Sequence, residues 1–174
     1  MTHRVSVLHV RSLNARMSSG ILVAGGMAVP CGLGHNGRTW RKVEGDGMTP
    51  RGSWPFRRML RRPGKPDFAN TALPTRVMRR ADGWCDDPAD RNYNRQITRP
   101  YPASHEALWR DDSIYDVVVI LGHNERQRSR GKGSAVFFHI REGKGNTDGC
   151  VAISRADMRK ILPFCSRHTI LRVW

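Results

Sequence analysis

Residues 133–154 read GSAVFFHIREGKGNTDGCVAIS, and the whole chain is understood outward from this stretch. It divides into three parts with different physical jobs. Residues 134–140 are short and apolar or aromatic, which predicts a strand. Alternation puts Ala135, Phe137 and His139 on one face and Val136, Phe138 and Ile140 on the other. Residues 141–149 carry three glycines with Asn, Asp and Lys, so the backbone can turn back on itself. Cys150 follows at once and enters a second apolar run, residues 151–153. A Cys and a His at the facing ends of two neighbouring strands is the geometry that a thiol nucleophile and its base require.

The chemistry explains the residue types. A thiol at its free pKa is mostly protonated at neutral pH, so it needs a base or a positive neighbour to supply thiolate. His139 can serve, with Arg141 and Lys144 adding positive potential. Gly149 removes a side chain where the backbone N–H groups of Gly149 and Cys150 can point at a developing oxyanion. One aligned donor of that kind lowers a barrier by about 3 to 4 kcal/mol. His123, in Leu121-Gly122-His123-Asn124, also ends an apolar run and is both the rival base and a candidate substrate-binding residue.

The pattern resembles the L,D-transpeptidase (YkuD-like) catalytic domain of bacterial cell-wall enzymes. That family carries a His at a strand end, a loop, and then Ser/Thr-x-Gly-Cys followed by small or aliphatic residues, here His139 and Thr147-Asp148-Gly149-Cys150-Val151-Ala152-Ile153. A branch of the family has Glu-Gly-Asp-Gly-x-Thr-Pro-x-Gly near its amino end. This chain has Glu44-Gly45-Asp46-Gly47-Met48-Thr49-Pro50-Arg51-Gly52. Gly83-Trp84-Cys85-Asp86-Asp87-Pro88 and Tyr101-Pro102-Ala103-Ser104-His105-Glu106 are similar to that branch too, as is the short gap between His139 and Cys150. Two positions depart from the family. Asp148 stands where many members have His, and a nearby carboxylate disfavours a thiolate. Ala152 stands where many have the Arg that holds a substrate carboxylate, leaving Arg141 or Arg155 to replace it.

The resemblance implies a mainly β domain over residues 1–174. Its architecture is an L,D-transpeptidase-type β-sandwich of mostly antiparallel strands, with one or two short helices and a long loop over the cleft. It implies acyl transfer through a thioester on peptidoglycan tetrapeptide stems, giving 3-3 cross-links or exchange of the terminal D-amino acid. Cys150 is then the nucleophile and His139 the base and acid. The Ile140 carbonyl orients His139, the Gly149 N–H serves the oxyanion, and Thr147 bonds substrate or braces the loop. No metal or organic cofactor is implied. Water as acceptor makes the same site an L,D-carboxypeptidase or amidase. A degenerate basic protein that binds wall polymer, or less readily nucleic acid, is the further alternative. The resemblance implies the periplasm or cell envelope, with the cytoplasm as the alternative because no signal peptide is recognisable.

Composition bears on these alternatives. Thirty Lys and Arg against fifteen Asp and Glu leave +15, a field that favours anionic partners. The basic residues are spread along the chain, densest at Arg57-Arg58, Arg61-Arg62, Arg79-Arg80 and residues 126–132. Four cysteines without C-x-x-C spacing or a compact Cys/His quartet argue against zinc, and a bridge among Cys31, Cys85 and Cys165 is left open. No run reaches the length of a membrane helix. Residues 21–33 have the length of a signal-peptide core, but Gly25-Gly26 at their middle predicts a hairpin instead.

Elsewhere, strands are expected over residues 1–13, 39–43, 53–60, 114–121 and 168–173, the fourth of them central and buried on both faces. Ser104 with Glu106 predicts a short helix to Arg110. Ser154 and Asp157 form a capping box opening a helix that Pro163 ends. Residues 61–102 show little periodicity, but Trp84, Tyr93 and Tyr101 argue for an ordered excursion packed over the cleft.

Overall fold

The computed structural model describes residues 4–65, 68 and 70–174. Fourteen strands and one α-helix are assigned within them. In chain order these begin with β1 (Val7–Arg11), β2 (Ser19–Ala24), β3 (Met27–Gly32), β4 (Arg38–Thr39), β5 (Thr49–Pro50), β6 (Gly52–Arg61) and β7 (Thr75–Val77). Then come β8 (Asp82–Cys85), β9 (Arg95–Thr98), β10 (His105–Ala107), β11 (Val117–Leu121), β12 (Phe137–Arg141), β13 (Val151–Ser154), α1 (Arg155–Ile161) and β14 (Ile170–Val173).

The main sheet runs β11-β12-β13-β3-β2-β1-β14-β6-β7, and β6 also pairs with β11, so two layers close over one core. Most pairings are antiparallel, while β1–β14, β12–β13, β6–β7 and β4–β5 are parallel. The fold is the mainly β sandwich that the sequence resemblance implied. Gly25 at φ +59 makes the β2–β3 turn, with Ala24 opposite Met27, so residues 21–33 form a hairpin inside the sheet.

Every residue of β11 is buried, because it has a core on each side. Val117, Val119 and Leu121 face the interior with Phe138, Ile140, Val151 and Ile153. Val118 and Ile120 face outward into a second cluster with Leu60, Trp84, Leu108, Tyr115, Phe137 and Cys150. The excursion supplies that outer cover. Its small sheet, β10-β8-β9, lays Trp84 edge-on against Phe137, centroids 5.2 Å apart. Burying two such rings contributes roughly 1.5 to 3 kcal/mol each. The face assignment read from alternation in residues 135–140 therefore holds, with Phe137 outward and Phe138 inward.

Several elements differ from expectation. The strand expected over 134–140 begins only at Phe137, since Ala135 sits at φ +50, outside any strand conformation. The strand expected over 39–43 ends at Thr39; Trp40 and Val43 are exposed, so the segment has no apolar face to bury. The helix expected over 104–110 is instead β10, whose Glu106 pairs with Trp84 of β8. Cross-strand pairing to the excursion outweighs local helix signals there. Among residues 1–13 the strand is β1 alone, and residues 1–3 lie outside the described residues. The capping box is present: the Asp157 amide donates to Ser154 Oγ at 3.1 Å, and a 3-10 turn containing Pro163 ends α1. All four cysteines are free and buried, so Cys31, Cys85 and Cys165 form no bridge.

Candidate active site

The parallel pairing of β12 with β13 brings the two chemical residues together. Phe138 registers with Val151 and His139 with Ala152, so Cys150, one residue before β13, lies beside Phe137 on the outward face. Cys150 and His139 line one cavity of about 520 Å³. The rest of its wall includes Lys42 and Glu44 on the β4–β5 connection, Asp86 from the excursion, Glu106, Arg110 and Tyr115 from the segment between β9 and β11, residues 134–136 before β12, and residues 146–149 of the loop before β13. Among the described residues no group of three His, Cys, Asp or Glu side chains is arranged to hold a metal ion. None of the described helices is long and apolar enough to cross a membrane.

Backbone groups hold the sulphur. The Phe137 amide donates to Cys150 Sγ and the thiol donates to the Ala135 carbonyl, both at 3.3 Å. The left-handed turn at Ala135 aims that carbonyl, and its amide is in turn tied to Asn94 Oδ1 at 3.2 Å. Burial pushes the Cys150 thiol well up from its ordinary value, with Glu106 adding to the shift and Lys42 opposing it. Cys31 and Cys165 are also pushed up, to about 12, by burial. What separates Cys150 from these is therefore its place on a cavity wall.

His139 is buried with its Nδ1 bonded to the Ile140 carbonyl at 2.8 Å. The N–H is then on Nδ1, which leaves Nε2 as the basic nitrogen. Tyr115 packs edge-on against the imidazole, 5.0 Å between centroids. Burial pulls the His139 pKa down to about 4, and Arg110 lowers it further while the Ile140 bond raises it. The ring is neutral at neutral pH.

The loop before Cys150 is braced from both sides. Thr147 Oγ1 donates to the Cys150 carbonyl at 2.7 Å and accepts from the Gly149 amide at 3.2 Å. Thr49 Oγ1 donates to the same carbonyl at 3.2 Å. Gly149 stands at φ +142, and a Cβ there would lie 2.9 Å from the Met48 carbonyl oxygen, so both conformation and space demand glycine. The Glu44–Gly52 motif explains that crowding. Asp46 takes the amides of Val43 and Met48 and the Lys42 ammonium, which fixes Lys42 Nζ 3.3 Å from the position of a Gly149 Cβ. The Asp148 side chain is fully exposed, 3.2 Å from His35 Nδ1.

Three residues expected at the substrate lie elsewhere. His123 is buried edge-on against Trp54, with Nε2 on the Lys132 carbonyl, and is absent from the cavity wall. Arg155 pairs with the fully buried Asp116, which Arg62 and Lys65 also meet. Arg141 runs alongside Gly32 of β3, where a Cβ would meet its side chain at 3.0 Å. In their place the cavity has Lys42, Glu106, Arg110 and Tyr115, which sequence reasoning did not assign. Only Glu106 lay in a motif likened to the family, and nothing in local spacing aimed any of the four at Cys150.

A two-layer β fold with a thiol and an imidazole in one roofed cleft defines a class of domain before any comparison is made. The L,D-transpeptidase catalytic domain family model matches residues 14–173, and the chain belongs to that family. Neither the curated proteins nor the solved structures contain a match to it.

Proposed function

We propose that the protein is a cysteine-dependent L,D-transpeptidase of the cell envelope, with residues 1–174 forming one catalytic domain that acts on peptidoglycan tetrapeptide stems. The observation that carries this reading is the shared cavity of Cys150 and His139, with His139 Nδ1 committed to the Ile140 carbonyl. With Nδ1 occupied, Nε2 takes the thiol proton as sulphur attacks the carbonyl of the third stem residue. The same proton passes to the departing amine of the terminal D-alanine. The product is a thioester on Cys150, resolved by an amine that forms a 3-3 cross-link or exchanges the terminal residue.

The neutral dyad fits a thiol deprotonated in concert with attack, because burial disfavours both the thiolate and the imidazolium beforehand. Lys42 favours the developing negative charge. Gly149 N–H is assigned to the oxyanion, exchanging Thr147 Oγ1 for the substrate oxygen, and Thr147 then keeps its bond to the Cys150 carbonyl. Lys42, on the cavity wall, replaces Arg141 and Arg155 as the cation available to a carboxylate of the donor stem.

Intact-protein mass after incubation with a carbapenem tests the reading. A single adduct is expected, absent in Cys150→Ala and slowed in His139→Ala. An unmodified mass, with the thiol shown free by alkylation, overturns it.

A further inference from the structure

Two charged side chains of the cleft have no part in forming the thioester. Glu106 in β10 and Arg110 just after it both line the cavity that holds Cys150 and His139. Each is anchored on one side. The Tyr115 hydroxyl donates to Glu106 Oε1, and Asp112 takes Arg110 Nε at 3.1 Å and Nη2 at 2.8 Å. Glu106 Oε2 and Arg110 Nη1 have no hydrogen-bond partner among the described residues. The Arg110 guanidinium lies over the Tyr115 ring, 5.4 Å from its centroid, so one aromatic side chain spaces the two charges.

Glu106 works against the nucleophile, since its carboxylate pushes the Cys150 thiol up. For acylation alone an uncharged residue would serve better. Of the other charges of the wall, Lys42 is matched by Asp46, Glu44 takes the Tyr93 hydroxyl and the exposed Asp148 lies beside His35, while Asp86 keeps one buried carboxylate oxygen without a partner among the described residues. A carboxylate beside a thiol that it disfavours is offset when a cation arrives with the second substrate.

We propose that Glu106 and Arg110 form the acyl-acceptor subsite, and that it takes an α-amino acid as its zwitterion, ammonium on Glu106 and carboxylate on Arg110. The inference rests on the acyl-enzyme reading above. One proton passes from the ammonium to Glu106, and the freed amine attacks the thioester carbonyl. The C–N bond forms, the C–S bond breaks, and the second amine proton goes through His139 Nε2 to sulphur. The products are an amide and the free thiol, with Glu106 left protonated until solvent takes its proton.

The test uses a tetrapeptide-stem muropeptide as donor, with D-methionine or D-methioninamide as acceptor, and reads exchange against hydrolysis by mass spectrometry. Carbapenem adduct formation is timed in parallel. The unmutated protein is expected to favour D-methionine over its amide by about tenfold or more, the size of a charge-assisted hydrogen bond. Glu106→Gln is expected to cut exchange relative to hydrolysis by a similar factor while the adduct forms faster. Arg110→Gln is expected to erase the preference for the acid. Opposite signs in the two half-reactions separate this role from a structural one, which slows both. Equal use of the two acceptors by the unmutated protein, or a parallel loss of adduct and exchange in Glu106→Gln, overturns the subsite. An adduct with hydrolysis alone overturns the subsite and leaves the acyl-enzyme standing; no adduct overturns the acyl-enzyme itself.

Discussion

Asn94 Oδ1 accepts the amide of Ala135 at 3.2 Å, and the Ala135 carbonyl receives the Cys150 thiol. The same Asn94 oxygen takes the Trp84 indole N–H at 2.9 Å, and its Nδ2 reaches the carbonyls of His123 and Asn124 at 3.1 and 3.0 Å. A single buried amide thus ties the excursion, the exit of β11 and the turn that seats the thiol. Asn94→Ala leaves the indole and the Ala135 amide unpaired, so stability should fall by about 2 to 3 kcal/mol in urea melts. Carbapenem acylation of Cys150 should slow as well; an unchanged rate would show that Ala135 holds its turn unaided.

Gly149→Ala should leave a folded protein with an inactive thiol. The φ of +142 and the 2.9 Å approach to the Met48 carbonyl cost on the order of 1 to 3 kcal/mol in place, and a shift of the loop carries Cys150 with it. Intact mass should show little or no adduct while far-ultraviolet circular dichroism stays native.

Lys42 is buried beside Gly149 and is the cation that opposes the rise of the Cys150 pKa. Lys42→Met should therefore move the pH midpoint of iodoacetamide labelling of Cys150 upward, read on the Cys150 peptide. It should also destabilise the fold by about 3 kcal/mol, since Asp46 loses its buried partner.

Glu106 and His139 give stability opposite slopes with pH. Burial raises the Glu106 carboxyl to about 7, against an opposing bond from Tyr115 and opposing charge from Arg110, while Asp86 and Asp148 add to the rise. The folded state thus holds a proton that the unfolded chain releases at lower pH, and stability falls as pH rises from about 4.5 to 7. His139, lowered to about 4, has the reverse sign: the unfolded chain takes a proton first, and stability falls as pH drops from about 6.5 to 4. Glu106→Gln should remove the first loss alone. The variant should be more stable than the unmutated protein by roughly 2 to 3 kcal/mol at pH 8 and equal to it at pH 4.5. An equal difference at both pH values would mean that Glu106 titrates normally.

The sequence resemblance correctly led to a mainly β fold because its signals are local. Alternation in residues 136–140, the paired glycines at 25 and 26, the apolar run of β11 and the Ser154 cap each act within a few residues, so spacing alone exposes them. The β10 segment was misread for the opposite reason: its hydrogen-bond partners are on β8, some twenty residues away in sequence, and local helix signals say nothing of them. Arg141 and Arg155 were expected at the substrate because they follow the chemical residues in the chain. A strand and a helix turn each of them away from the cleft, one along β3 and the other to Asp116.

By itself the sequence determined the family and the mainly β fold, and it singled out Cys150 and His139 as the pair that the proposed chemistry needs. Those follow from residue types at fixed short spacings. Only the tertiary structure decided what surrounds the thiol. Lys42, Glu106, Arg110 and Tyr115 come from separate segments to line the cavity of Cys150, and Asn94 holds the Ala135 turn that seats it, through the closing of β6 on β11 and the folding of the excursion over β12. Electrostatic and hydrogen-bond terms depend on distance in space, which a linear spacing does not carry.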